Sequence, residues 1–186
     1  MTTPPPQTPT APPAALVAAI ASYLQARDQL ANNANQAPLM PARIIAFASG
    51  QALPDRDQIA AQLSAQLPAR RLYRQVLALR SVAHSPLQAC AQSEGTITER
   101  SGDHFVLYFR ASRAAPDQVY VTVEIRPSLQ LVEGAELDIH VLGERQVLSV
   151  RFPPLVERRT QRLFQRTDAV LQLLQDDGAE LMVVQP

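Results

Sequence analysis

Side chains able to do chemistry are few in this sequence, and they are widely spaced. There are three histidines, His84, His104 and His140. His104 and His140 fall at or within stretches that read as strands, so a fold could bring them together. No Gly-x-Ser-x-Gly motif and no Gly-rich phosphate loop accompanies them, so each reads as a surface or structural histidine. The lone Cys90 excludes an internal disulfide and any multi-cysteine metal site, and reads as a buried or incidental thiol. Among the carboxylates, Asp138 and Glu144 fall in a strand and a turn. Asp176-Asp177-Gly178 lacks the ligand spacing of a calcium loop and is explained by turn chemistry. Basic residues cluster twice: Arg70, Arg71, Arg74 and Arg80 on a helical stretch, and Arg158, Arg159, Arg162 and Arg166 further on. On a strand Arg158, Arg162 and Arg166 would share a face able to meet phosphate or an acidic partner, or would simply form a solvated outer face. No catalytic residue, metal site or cofactor is expected.

The elements that must position these groups divide the chain. Met1 to Pro13 holds six prolines and no large apolar side chain beyond the first residue, and is expected to be a disordered tail over 1–13. Residues 14–85 read as all α. Ala14 to Ala31 is Ala-rich, with Leu16, Val17, Ile20, Tyr23, Leu24 and Leu30 as its apolar residues, and Asn32, Asn33 and Asn35 end it. Pro41 suits a first helical position, and Ile44, Ile45, Ala46 and Phe47 run into the stop at Ser49-Gly50. Leu53-Pro54-Asp55 restarts a helix carrying Ile59 and Leu63. Leu67-Pro68 breaks it, and from Ala69 a third helix places Leu72, Val76 and Leu79 on one stripe, with the arginines mostly off it.

Residues 86–94 read as a linker, and from 95 to 186 the period falls from helical to two. His104 to Phe109 is β-prone, and Gln118 to Ile125 alternates as a half-buried strand. Glu136–Leu142 and Val147–Phe152 form a hairpin through Gly143-Glu144. Arg159 to Thr167 and Glu180 to Val184 supply further strands, with Asp168 as N-cap of a short helix over Ala169 to Leu174. The expected fold class is α+β: an N-terminal short-helix region followed by a small antiparallel β-sandwich or barrel.

The order of a short apolar helix, a Ser-Gly stop, a Leu-Pro-Asp restart, an Ala-rich helix and an Arg-rich helix over about residues 41–82 resembles the N-terminal domain of the zinc-type anti-sigma factors. That family carries a His-x-x-x-Cys-x-x-Cys signature. Here the corresponding positions are Gln62, Gln66 and Ala69, which cannot ligate zinc. The resemblance implies a degenerate, metal-free domain that binds a sigma factor of the extracytoplasmic-function type. It would do so through Ile44, Phe47, Ile59, Leu63, Leu72, Val76 and Leu79, supported by Arg70, Arg71 and Arg74.

Bulk properties bound the function. The chain has 186 residues and a formal net charge of zero, and all its basic side chains other than histidine are arginines. That balance argues against a general binder of nucleic acid or anionic membrane. Residues 1–13 carry no basic side chain and the apolar run after them is short, which speaks against a secretory signal. No stretch approaches the roughly 18 apolar residues of a membrane span. The expectation is a non-catalytic cytoplasmic regulator acting by protein binding. Its alternative is a ligand- or protein-binding β-sandwich with a helical adaptor or dimerisation region.

Overall fold

The computed structural model describes residues 13–31, 38–86 and 97–186, and in residues 29–31 the backbone only. The expected tail over 1–12, most of the 86–94 linker, the three asparagines after the first helix and Cys90 lie outside the described residues. The described fold is α+β, with helices at the N-terminal side and two antiparallel four-stranded sheets.

In chain order the elements are α1 (Ala14–Ala31), α2 (Pro41–Ala48), α3 (Arg56–Ala65), α4 (Leu67–Arg80), β1 (Ala83–Ser85), β2 (Glu99–Ser101), β3 (Phe105–Ala111), β4 (Gln118–Ile125), β5 (Leu137–Leu142), β6 (Val147–Phe152), β7 (Arg159–Gln165), α5 (Ala169–Leu174) and β8 (Glu180–Val184). One sheet runs β1-β8-β5-β6 and the other β2-β3-β4-β7. Their facing sides supply an apolar interior that includes Phe105, Leu107, Val121, Val123, Ile139, Val141 and Phe152. The alternation read along β4 is present, with Val119, Val121, Val123 and Ile125 all buried. The edges of the sandwich are latched. On one side the Asp103 amide donates to the His84 carbonyl at 2.9 Å. Arg100 of β2 also crosses to the carbonyls of Leu174, Asp176 and Ala179. On the other side Arg162 of β7 donates to the Arg151 carbonyl at 2.6 Å.

The helices form a third layer. Ile44, Phe47, Ile59, Leu63, Leu72, Tyr73, Val76 and Leu77 share a second core with Leu142, Val147, Met182 and Val184 from the outer face of the β1-β8-β5-β6 sheet. Helices of eight to fourteen residues are marginal alone in water, so burial against the sheet holds them. Each fully buried Leu, Ile or Phe contributes about 1.5–3 kcal/mol to that docking. The α2 stop forms as the sequence dictates. Gly50 takes φ +71°, and the Gln51 amide returns to the Ala46 carbonyl at 3.1 Å. A Cβ at Gly50 would also collide with the Asp138 carboxylate, so the turn needs glycine twice over.

Several expectations are corrected in detail. The all-α reading of 14–85 runs too far, because Ala83–Ser85 is an edge strand paired to β8. β1 and β2 are each three residues long, too short to show a period. The break at Leu67-Pro68 falls one residue earlier, at Gln66, because proline is tolerated in the first helical turn. Leu79 is 47 % exposed while Tyr73 and Leu77 are buried. At 100° per residue Leu79 stands about 90° from the centre of the buried stripe. Asp168 does not cap α5 through its side chain; its carboxylate turns back to accept from the Gln165 amide at 2.8 Å. Among the described residues no helix is long and apolar enough to cross a membrane.

Candidate functional site

The arginine-rich stretch of α4 forms one wall of a groove of about 400 Å³ at the junction of the helical layer and the sheet. Leu67, Arg70, Arg71 and Arg74 line that wall. Opposite stand Leu142, Gly143 and Glu144 at the β5–β6 turn, with Gly178 and Glu180 where the chain enters β8. The helical period places residues 67, 70, 71 and 74 on one face. That face flanks the buried stripe of Leu72, Val76 and Leu77, so docking α4 aims the arginines at the rim of the sheet.

Each arginine is held differently. Arg70 reaches across the groove and donates to the Glu144 carbonyl, to the Gly143 carbonyl at 3.4 Å and to the Ser64 carbonyl at 3.3 Å. It therefore ties α3, α4 and the β5–β6 turn together. Arg74 donates through Nε to Glu180 Oε2 at 2.8 Å. Glu180 is nearly buried, and its Oε1 lies 2.7 Å from His84 Nε2. Arg71 is exposed and lines the groove.

A second polar cluster lies inside the seam between helices and sheet. Asp138 of β5 is fully buried. Arg151 meets it side-on, with Nε and Nη2 each 3.0 Å from a carboxylate oxygen, and Arg56 approaches at 3.4 Å. The paired carboxylate in turn raises the pKa of Arg151. His140, two residues along the same strand, faces the same way. Its Nδ1 lies 2.5 Å from the Tyr73 hydroxyl, and its ring packs edge-on against Phe47 and Tyr73. Burial holds the imidazole pKa down to about 4, and burial pushes the Tyr73 hydroxyl well above its usual range. His140 Nε2 is buried with no hydrogen-bond partner among the described residues.

The positions expected to bind a partner are mostly interior. Ile44, Phe47, Ile59, Leu63, Leu72 and Val76 are each at most 1 % exposed. They are closed by the chain's own sheet and so have no free face to offer. Leu79 is exposed, while Arg70, Arg71 and Arg74 meet in the groove. The second arginine cluster does not form one face. Arg158 sits in a turn at φ +64° and donates to the carbonyls of Ile125, Arg126 and Leu129. Arg162 latches the sheet edge, and Arg166 donates to the Pro116 carbonyl at 2.7 Å. Sequence reasoning missed Gly178 and Glu180 as groove residues. The two turns were legible as turns, but only the docked helix makes them walls. Among the described residues no group of three or more His, Cys, Asp or Glu could hold a metal ion.

No known family and no curated protein matches the sequence. A solved structure, flavohemoglobin from Malassezia yamatoensis with bound FAD and heme, aligns with 92 % of this chain and 50 % of its own at 17 % identity. Its TM-score is 0.31, below the level of a shared fold. This chain spans half the length of that protein. The apolar face expected to bind a partner is, Leu79 apart, buried inside the chain. The reading as a regulator that binds a partner through these helical residues is therefore corrected.

Proposed function

We propose that this protein is a non-catalytic binding module that takes a small ligand in the groove between α4 and the rim of the β1-β8-β5-β6 sheet. The observation that supports the reading is Arg70, whose guanidinium bridges both walls through main-chain carbonyls and so fixes the groove's width before any ligand arrives. A volume of about 400 Å³ is of the order that small-molecule sites use. The helical layer is then one wall of the site rather than a separate adaptor.

The test is a panel of small metabolites followed by protein amide resonances. Ligands should shift Arg70, Arg71, Gly143 and Gly178 together, and Leu67→Trp, which fills the groove from an exposed position, should abolish those shifts. Compounds that bind with resonances moving only at the opposite sheet, or that bind Leu67→Trp equally well, would overturn the assignment.

A further inference from the structure

Given that the groove is the binding site proposed for it, its charges specify the chemistry of the ligand. Three guanidinium groups come from one helical face, and they are not equivalent. Arg70 is committed to carbonyls of the opposite wall, Arg74 shares its charge with Glu180, and Arg71 lines the groove with its side chain exposed. Two adjacent guanidinium groups at a concave site match the oxygens of a carboxylate or phosphate in charge and in geometry. Two groove carboxylates oppose this: Glu144, which is exposed, and Glu180, which is nearly buried and neutralises Arg74 from beneath.

His84 of β1 holds the other oxygen of Glu180, with Nε2 2.7 Å from Oε1, so Arg74 does not hold that carboxylate alone.

We propose that this groove binds the carboxylate or phosphate group of a small organic anion on Arg71 and Arg74. Arg71 and Arg74 are the ligand contacts, while Glu180, held from its other side by His84, is a positioning residue for Arg74.

The experiment titrates the full chain with three probes while following groove amides. Pyrophosphate and glutarate represent the phosphate and carboxylate sources. Sulfate is the third probe, an inorganic anion that tests charge alone. At least one organic or phosphate probe should shift Arg71 and Gly178, and which of the two does so identifies the source. Arg71→Ala should weaken binding about tenfold, the usual cost of one charge-assisted hydrogen bond, and Arg71→Glu should abolish it. Arg110→Ala, an exposed arginine on the far sheet, should leave it unchanged. If neutral or cationic compounds occupy the groove while all three anions fail, the binding reading stands and this inference falls. If no compound of any charge enters the groove, both fall. Anion binding that ignores Arg71→Ala overturns the assignment.

Discussion

The two faces of β5 show two ways of holding the same strand. Leu137, Ile139 and Val141 point into the sandwich, where they belong to a mostly apolar core. Asp138, His140 and Leu142 point the other way, to the helical layer, and all six residues are buried. The sandwich interior gains free energy from burial without regard to direction, so many apolar residues of the right volume would serve. The seam works by directional contacts. Asp138 needs Arg151 and Arg56, and His140 needs Tyr73. Buried charges recover their desolvation cost only with good geometry, so the seam fixes where the helices dock more than it adds to how tightly. That docking shapes the groove, since α4 supplies one wall of it.

The largest expected effect comes from breaking the seam at its charge. Asp138→Ala leaves two guanidinium groups without their carboxylate and should cost about 3–5 kcal/mol in chemical denaturation. Hydrogen exchange should show the loss first in α2, α3 and α4, with β3 and β4 still protected. Equal loss of protection in both places would mean that the two cores are not separable.

A smaller effect tests His140. Its folded-state pKa is about 4, against an ordinary 6.5, so the unfolded chain takes the proton first. The contribution is complete above the ordinary histidine value and is lost as pH falls from there towards 4. Across that interval it amounts to about 3 kcal/mol for a shift of this size. Denaturation midpoints measured from about pH 7 down to about pH 4 should fall in the native chain, and less steeply in His140→Gln. A sandwich variant such as Val121→Ala should be destabilised by a similar amount at every pH.

The sandwich was the more legible half of the molecule for the same reason that it is the less specific. Strict alternation along β4 and the Gly143-Glu144 turn are local signals, and both stand in the structure. Asp138 and His140 occupy the alternate positions of a strand, which in a two-layer sandwich would face water. That they are buried follows from a third layer that no strand-level period reveals. The arginines of α4 were singled out from composition and helical spacing. Their opposite wall could not be, because Glu180 lies over a hundred positions further along the chain and reaches them only through the β8 pairing. β1 and β2 were invisible because three residues carry no period. The apolar residues assigned to a partner are, Leu79 apart, interior. What covers them is the chain's own sheet.

The smallest expected effect lies in the sandwich wall and leaves the seam untouched. Val156 and Arg159 bridge around a two-residue turn in which Glu157 and Arg158 both have positive φ, 50° and 64°. Such turns favour Asn or Gly, since a side chain in the left-handed region costs about 1–2 kcal/mol. Arg158 has a reason to be there, because its guanidinium ties the turn to the carbonyls of Ile125, Arg126 and Leu129. Glu157 has none visible in its side chain: its main-chain amide donates to Glu133, and glycine would keep that bond. Relief of the backbone strain, less the extra freedom glycine gives the unfolded chain, leaves Glu157→Gly more stable by about 0.5–1 kcal/mol. Arg158→Gly should lose stability despite relieving the same strain. If both substitutions stabilise, the three carbonyl contacts of Arg158 carry no net weight. If neither does, the turn is held by its neighbours strongly enough that its own residues do not matter.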